Sequence, residues 1–131
     1  MTWGLDTSVT VRLLVGEPVR QAEAAHRVLR ERAGDGVAIS DLVVGESYFA
    51  LRHHYRVPHA AAVVALRALL ADPRVHATGV AREVLNEVGD TEDAPGLMDR
   101  LIHGDYQQSG ARLLTFDRDA SSLTGARLLT E

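Results

Sequence analysis

Four carboxylates stand where they could do chemistry. Asp6 closes the apolar run Trp3-Gly4-Leu5, and Glu46 lies among Leu42, Val43, Phe49 and Ala50 at helical spacing. Asp99 follows Leu97-Met98, and Asp117 follows Leu113-Leu114-Thr115-Phe116. All 14 basic residues are arginine, so no lysine is present to neutralise these acids, and only Arg100 and Arg118 adjoin their segments. A carboxylate on an apolar stripe is costly to bury without a partner. Anions drawn together repel and shift one another's pKa. A hard divalent cation, Mg²⁺ or Mn²⁺, is the natural partner of such a set, held by carboxylates, water and phosphate oxygens. Any one of these acids could be only a helix cap; the coincidence of four carries the argument.

The elements that would position them follow from the pattern. Leu5 ends a short buried strand, and Val9 to Val15 is a helix capped by Thr7 or Ser8 and stopped by Gly16. Pro18 suits the first turn of the next helix, which runs to about Arg32 on Ala22, Ala25, Val28, Leu29 and Ala33. Gly34-Asp35-Gly36 is a turn, Val37-Ala38-Ile39 a strand, and Ser40 or Asp41 caps a helix reaching about Tyr55. Pro58 opens an Ala-rich helix ending near Asp72-Pro73. Val75 to Thr78 is a strand, Gly79 to Val88 is helical, and Gly89 to Gly96 is an acidic loop. Leu97 to about Gln108 is a helix, with Gly110 as its stop. Ala111 to Phe116 and Ala126 to Leu129 are strands around a short helix or turn from Asp117.

The hexapeptide Gly110-Ala111-Arg112-Leu113-Leu114-Thr115 recurs at Gly125–Thr130. Two copies are too few for a repeat architecture and read as neighbouring strands. Alternating strands and helices imply a parallel sheet covered on both faces. In such a sheet Asp6 and Asp117, both at strand ends, face the edge where ligands bind.

At 131 residues the chain is expected to form one domain, residues 1–131, large enough for a real core. Hydrophobic residues make up 46%, which argues against disorder. No apolar run approaches the ~18 residues of a membrane span, and Met-Thr-Trp-Gly does not read as a signal peptide. Cysteine is absent, which excludes disulfides and thiolate metal sites and fits a cytoplasmic protein. A net charge of −4 does not advertise a nucleic-acid binder.

The ordered segments Leu5-Asp6-Thr7-Ser8-Val9, Ser40-Asp41-Leu42-Val43-Val44-Gly45-Glu46, Leu97-Met98-Asp99-Arg100-Leu101-Ile102 and Leu114-Thr115-Phe116-Asp117-Arg118-Asp119 resemble those of a PIN-domain ribonuclease. The resemblance is specifically to the toxin of a VapBC-type toxin–antitoxin pair and covers nearly the whole chain. It implies a three-layer α/β/α domain with a short, mostly parallel sheet of four to five strands. It implies Asp6, Glu46, Asp99 and Asp117 as catalytic ligands of Mg²⁺ or Mn²⁺, with Ser8, Thr115 and Asp119 behind them. It also implies metal-assisted hydrolysis of RNA phosphodiesters, a homodimer, and an antitoxin that blocks the site. Arg100, His103, Gly104 and Asp105 depart from the family pattern. They raise the questions of whether Asp105 adds a ligand and whether Arg100 weakens metal binding.

Arg12, Arg52, His53 and Arg56 are the candidate RNA contacts, since guanidinium forks bind phosphate and histidine stacks on bases. The competing reading is a solvated helix end. A zinc site from His53, His54 and His59 is disfavoured because adjacent histidines point apart on a helix. Trp3, Tyr48 and Phe49 read as core, and Val9, Val11, Leu13 and Leu14 as core or dimer seam. A haloacid-dehalogenase-type phosphatase needs a second Asp where Ser8 stands, and both it and a receiver domain need a lysine. A catalytically silent PIN-like module that binds RNA or protein is the other reading of the same motifs.

Overall fold

The computed structural model describes residues 2–32 and 34–131. Ala33, expected on the apolar face of the second helix, lies outside them. Strand β1 is Trp3–Gly4, followed by helices α1 (Thr7–Val15) and α2 (Val19–Glu31). Strand β2 (Val37–Ile39), helix α3 (Asp41–Phe49), a π-helical turn (Ala50–His54), helix α4 (His59–Ala71) and strand β3 (Val75–Ala77) come next. Helices α5 (Ala81–Glu87) and α6 (Leu97–Gln108), strand β4 (Leu114–Thr115), a 3₁₀ turn (Ala120–Ser122) and strand β5 (Arg127–Leu128) complete the order.

Every strand pairing is parallel. β1, β2 and β3 form one sheet in that order, and β4 pairs with β5 in a second. Helices alternate with these strands, giving the three-layer α/β/α arrangement. The central strand is the most buried: Val37 and Ile39 are fully covered, as is Val44 on α3. Helix α4 meets them with His59, Ala62, Val63, Leu66 and Leu70, which share one face at helical spacing. Each such aliphatic side chain contributes about 1.5–3 kcal/mol on burial.

Several expected elements have different bounds or environments. β1 lies at one edge of its sheet, with Trp3 and Gly4 exposed and burial beginning only at Leu5. Arg32 lies 5.5 Å above the Trp3 ring, a cation–π contact in place of core packing. Asp6, not Thr7 or Ser8, caps α1: its carboxylate accepts from the Val9 amide at 3.1 Å. Gly16 ends α1 in the left-handed region at φ 81°, as its position suggested. Pro18 stands just before α2, at its cap. The helix expected to reach Tyr55 widens after Phe49, where the Tyr55 amide bonds to the Ala50 carbonyl at 3.1 Å, five residues back.

The hexapeptide copies are neighbours, but their strands are only Leu114–Thr115 and Arg127–Leu128. Their register pairs Leu114 with Arg127 and Thr115 with Leu128. Equivalent residues of the two copies are therefore shifted by two positions along the ladder.

The arginines have a use beyond phosphate binding or solvation. Arg67 donates to the carbonyls of Leu85 and Val88, and Arg82 to those of Leu70 and Val75. Arg112 donates to the Gly125 carbonyl. Most of these carbonyls lie at helix ends and in loops, where the helix ladder leaves them without a partner, and that of Val75 lies on the edge strand β3.

Candidate metal centre

Asp6 sits where β1 gives way to α1. One of its oxygens, Oδ1, accepts from the Ser8 hydroxyl at 2.7 Å and from the Val9 amide. The Ser8 hydrogen bond, then the Val9 amide, hold the Asp6 carboxyl below its ordinary pKa despite a small opposing effect of burial. Oδ2 makes no hydrogen bond among the described residues. The placement is rigid because α1 is tied behind it: the buried Thr10 donates its hydroxyl to the Asp6 carbonyl at 2.9 Å.

Glu46 reaches this point from α3. Thr7, beside Asp6, donates its hydroxyl to Glu46 Oε1 at 3.0 Å. The expected burial of Glu46 on an apolar stripe is not found. Its neighbours Leu42 and Phe49 are 68% and 62% exposed, so the stripe faces outward and the carboxylate needs no buried partner. Val44, Gly45 and Ser47 form the inward side instead.

Asp99 lies in the first turn of α6, where the helix dipole favours a negative charge. Its carboxylate makes no hydrogen bond among the described residues, and it is half-buried. Arg100 does not neutralise it; that guanidinium turns away and donates from Nε to the Pro95 carbonyl at 2.9 Å. The approach of α6 to α3 is close. A Cβ on Gly45 would meet the Met98 sulfur, so the residues bearing the carboxylates next in sequence, Glu46 and Asp99, are carried on helices in direct contact.

Asp117 follows β4 and caps the 3₁₀ turn. Its Oδ1 accepts from the amides of Asp119 and Ala120 at 2.7 and 3.1 Å, while its own amide donates to the Thr115 hydroxyl. Asp119, expected behind the metal ligands, stands at the start of the 3₁₀ turn and makes no side-chain cap bond there.

The four acids do not close into one cluster. Among the described residues no three His, Cys, Asp or Glu are grouped so as to hold a metal ion. The donor chemistry nevertheless fits a hard cation: Asp6, Glu46 and Asp117 each present oxygen only, and among the described residues each has one oxygen engaged by a donor and one without a partner. Mg²⁺ is commonly held by one or two carboxylates with water and phosphate completing its shell. Oxygen donors of this kind suit a hard cation that keeps much of its shell as water and phosphate, and among the described residues they do not make a four-carboxylate enclosure.

Other residues singled out by sequence have structural employment. His59 is buried between Tyr48, whose hydroxyl lies 2.6 Å from Nδ1, and the Gly89 carbonyl, 3.0 Å from Nε2. With both nitrogens used it cannot join His53 and His54 on zinc. Burial raises the Tyr48 pKa. Arg52 pairs with Glu92 of the acidic loop and donates to the Val57 carbonyl. His53 and Arg56 stay exposed, and the His53 ring packs on Phe49 with centroids 4.4 Å apart. Val11 is buried, and Val9, Leu13 and Leu14 are partly buried against the core, as the core reading expects. Asp105 is exposed and lines a groove of about 370 Å³ with Leu42, Met98 and Ile102.

Asp41, offered with Ser40 as the cap of α3, does a different job, and Ser40 supplies that cap. Asp41 accepts from the amides of Val80 and Ala81 at 3.1 and 2.9 Å, capping α5 from another element. A Cβ on Gly79 would collide with that carboxylate. No local pattern announces a contact between residues so far apart in the chain.

The PIN domain family model matches residues 5–126, a span that includes all four acids. The chain belongs to the PIN-domain family. Comparison with curated proteins found no match. PIN domains are generally nucleases and typically use divalent metal ions. No helix among the described residues of this PIN domain is long and apolar enough to cross a membrane.

Proposed function

We propose that this PIN domain is a metal-dependent endoribonuclease and the toxin of a VapBC-type toxin–antitoxin pair, with residues 1–131 acting as one cytoplasmic domain. The observation that carries the reading is the Asp6–Thr7–Glu46 junction: two carboxylates from separate elements meet at the end of a parallel strand, Asp6 held by the Ser8 hydroxyl and Glu46 by the hydroxyl of Thr7, the residue next to Asp6. Asp6 and Glu46 would hold Mg²⁺ or Mn²⁺, with Asp99 and Asp117 completing the set once phosphate and water enter. The ion, when bound, would lower the pKa of a water and stabilise charge on the phosphate.

The chain's own residues would do the rest. Ser8 and the Val9 amide fix the Asp6 carboxylate in one orientation, and Thr7 does so for Glu46. Thr115 steadies the turn that carries Asp117. Arg12, His53 and Arg56 contact RNA, with Phe49 beside His53 offering an exposed ring face. Arg52 is less suited, because Glu92 already holds it. Exposed Leu42, Met98 and Ile102 support a homodimer. An antitoxin segment with a basic residue would cover the acidic edge.

The test is to map 5′ ends of cellular RNA after brief expression of the chain and of Asp6→Asn. New ends confined to the unsubstituted protein support the reading; identical profiles remove it. The separation of the acids favours one alternative, a silent RNA- or protein-binding module. Metal titration distinguishes them, since the silent module would bind no Mn²⁺ at Asp6.

A further inference from the structure

We propose that the groove between α1 and α2 is a base-recognition pocket and that the base it takes is guanine. The proposal rests on the ribonuclease reading for its substrate, and its geometry is independent of the metal. The groove is about 390 Å³ in volume and lies over Val9, Ala25 and Val28, with Ser8, Arg12 and Gln21 at its rim. Such a shape, an apolar floor under a few convergent polar groups, is that of a small planar ligand site.

The rim has a definite hydrogen-bonding sense. Arg12 donates from Nε to Gln21 Oε1 at 2.7 Å. That bond engages the amide oxygen of Gln21 and leaves its NH₂ as the free end. The terminal nitrogens of Arg12 have no partner among the described residues, and no carboxylate lines the groove. The free polar groups of the Arg12–Gln21 pair are therefore donors. They suit an edge that carries only acceptors. Guanine presents N7 and O6 together, whereas adenine replaces the second acceptor with an N6 amine. Arginine bidentate to that guanine edge is a strong and common pairing.

The groove also has the right address. Ser8 lines it and donates to Asp6 Oδ1 at 2.7 Å, so one side chain separates the pocket from the carboxylate centre. A base seated there belongs to a nucleotide beside the scissile phosphate. Single-stranded RNA, whose bases can splay out of the stack, supplies such a base.

The test measures binding and cutting separately. Labelled tetranucleotides with one guanine among uracils, or one adenine in its place, are titrated by fluorescence anisotropy in chelator. The guanine oligonucleotide should bind at least about five-fold more tightly, the low end of what one bidentate pair discriminates. Arg12→Met and Gln21→Glu should each bring that ratio close to one, with circular dichroism confirming the fold, while Asp6→Asn should keep it. Equal or undetectable affinities, as expected if the groove seats a protein segment instead, overturn the pocket. So does a ratio that survives both substitutions. Cutting of the same oligonucleotides in Mn²⁺ is scored independently. Guanine preference in a protein that never cuts would sink the ribonuclease reading and keep the pocket; cutting without preference would do the reverse.

Discussion

The Thr7 hydroxyl donates to Glu46 Oε1 at 3.0 Å, joining the first turn of α1 to the outer face of α3. Both groups border solvent, so the bond positions Glu46 more than it stabilises the fold. Thr7→Val should change stability by less than about 0.5 kcal/mol, as expected for a surface site. RNA cleavage should fall roughly 5- to 20-fold, because a carboxylate left free to rotate spends less time in its productive position. Thr7→Ser should restore most of the rate. A Thr7→Val protein that cuts like the parent would show that the contact is incidental.

Asp6 has a structural task and a proposed chemical one, and two substitutions separate them. Asn caps a helix about as well as Asp, while Ala costs about 1 kcal/mol. Asp6→Asn should therefore keep the melting temperature and abolish RNA cleavage, whereas Asp6→Ala should lose both activity and stability. Parent-like cleavage by Asp6→Asn would remove Asp6 from the reaction.

Divalent metal gives a readout apart from cleavage. The acids are not packed together, so the protein without metal carries little mutual repulsion to relieve. Millimolar Mn²⁺ should still raise the melting temperature. A ligand at a hundred times its Kd adds about 2.7 kcal/mol. The shift should vanish in Asp6→Asn, and NaCl of equal ionic strength should not reproduce it. Identical melting curves in chelator and in excess Mn²⁺ would count against the site.

Tyr48 and His59 anchor the loop after α5 from beneath. Tyr48→Phe leaves His59 Nδ1 without its hydroxyl partner, 2.6 Å away in the parent, and should cost about 1–3 kcal/mol. Thermal unfolding should show a drop of several degrees. An unchanged melting temperature would mean that water replaces the hydroxyl at no cost.

Acid sensitivity should centre on Asp72. Its carboxylate accepts from the Arg74 side chain and amide, and these bonds lower its pKa to about 2. The folded value lies below the unfolded one, so the contribution is complete above about pH 4 and fades as pH falls towards 2. The pair is close to solvent, which limits it to about 1 kcal/mol or less. Asp72→Asn should lower stability at pH 7 and leave the two proteins alike near pH 2, as followed by urea unfolding. An equal gap at both pH values would assign the effect to something other than charge.

The legible parts of this molecule are those where local rules decide. The span Leu97–Gln108 of α6, the Ser40 cap and the Gly16 stop follow from apolar spacing, a hydroxyl before a helix and a glycine after one. Glu46 was misplaced because residue type does not say which side of a helix meets the core; Leu42 and Phe49 are apolar yet exposed. Trp3 is apolar yet exposed, with Arg32 over its ring, and an edge position alone does not announce this, since β3 is also an edge strand and buries Val75 and Ala77. The run Ala111–Phe116 looked like six residues of strand, yet only Leu114–Thr115 pair, since pairing needs a partner of matching length. Asp41 and Gly79 were unreadable because their contact exists only after β2 and β3 align.

The shifted register of the twin hexapeptides bears on self-association. Stacked without the shift, Arg112 would lie opposite Arg127, and like charges directly opposite are destabilising. With the shift, Arg127 faces Leu114, and since side chains alternate with period two, each copy still presents the same faces. Identical short strands stacked in parallel and in register are the geometry of amyloid. The arginine in each copy makes that stacking repulsive between molecules while leaving the offset pair within one molecule undisturbed.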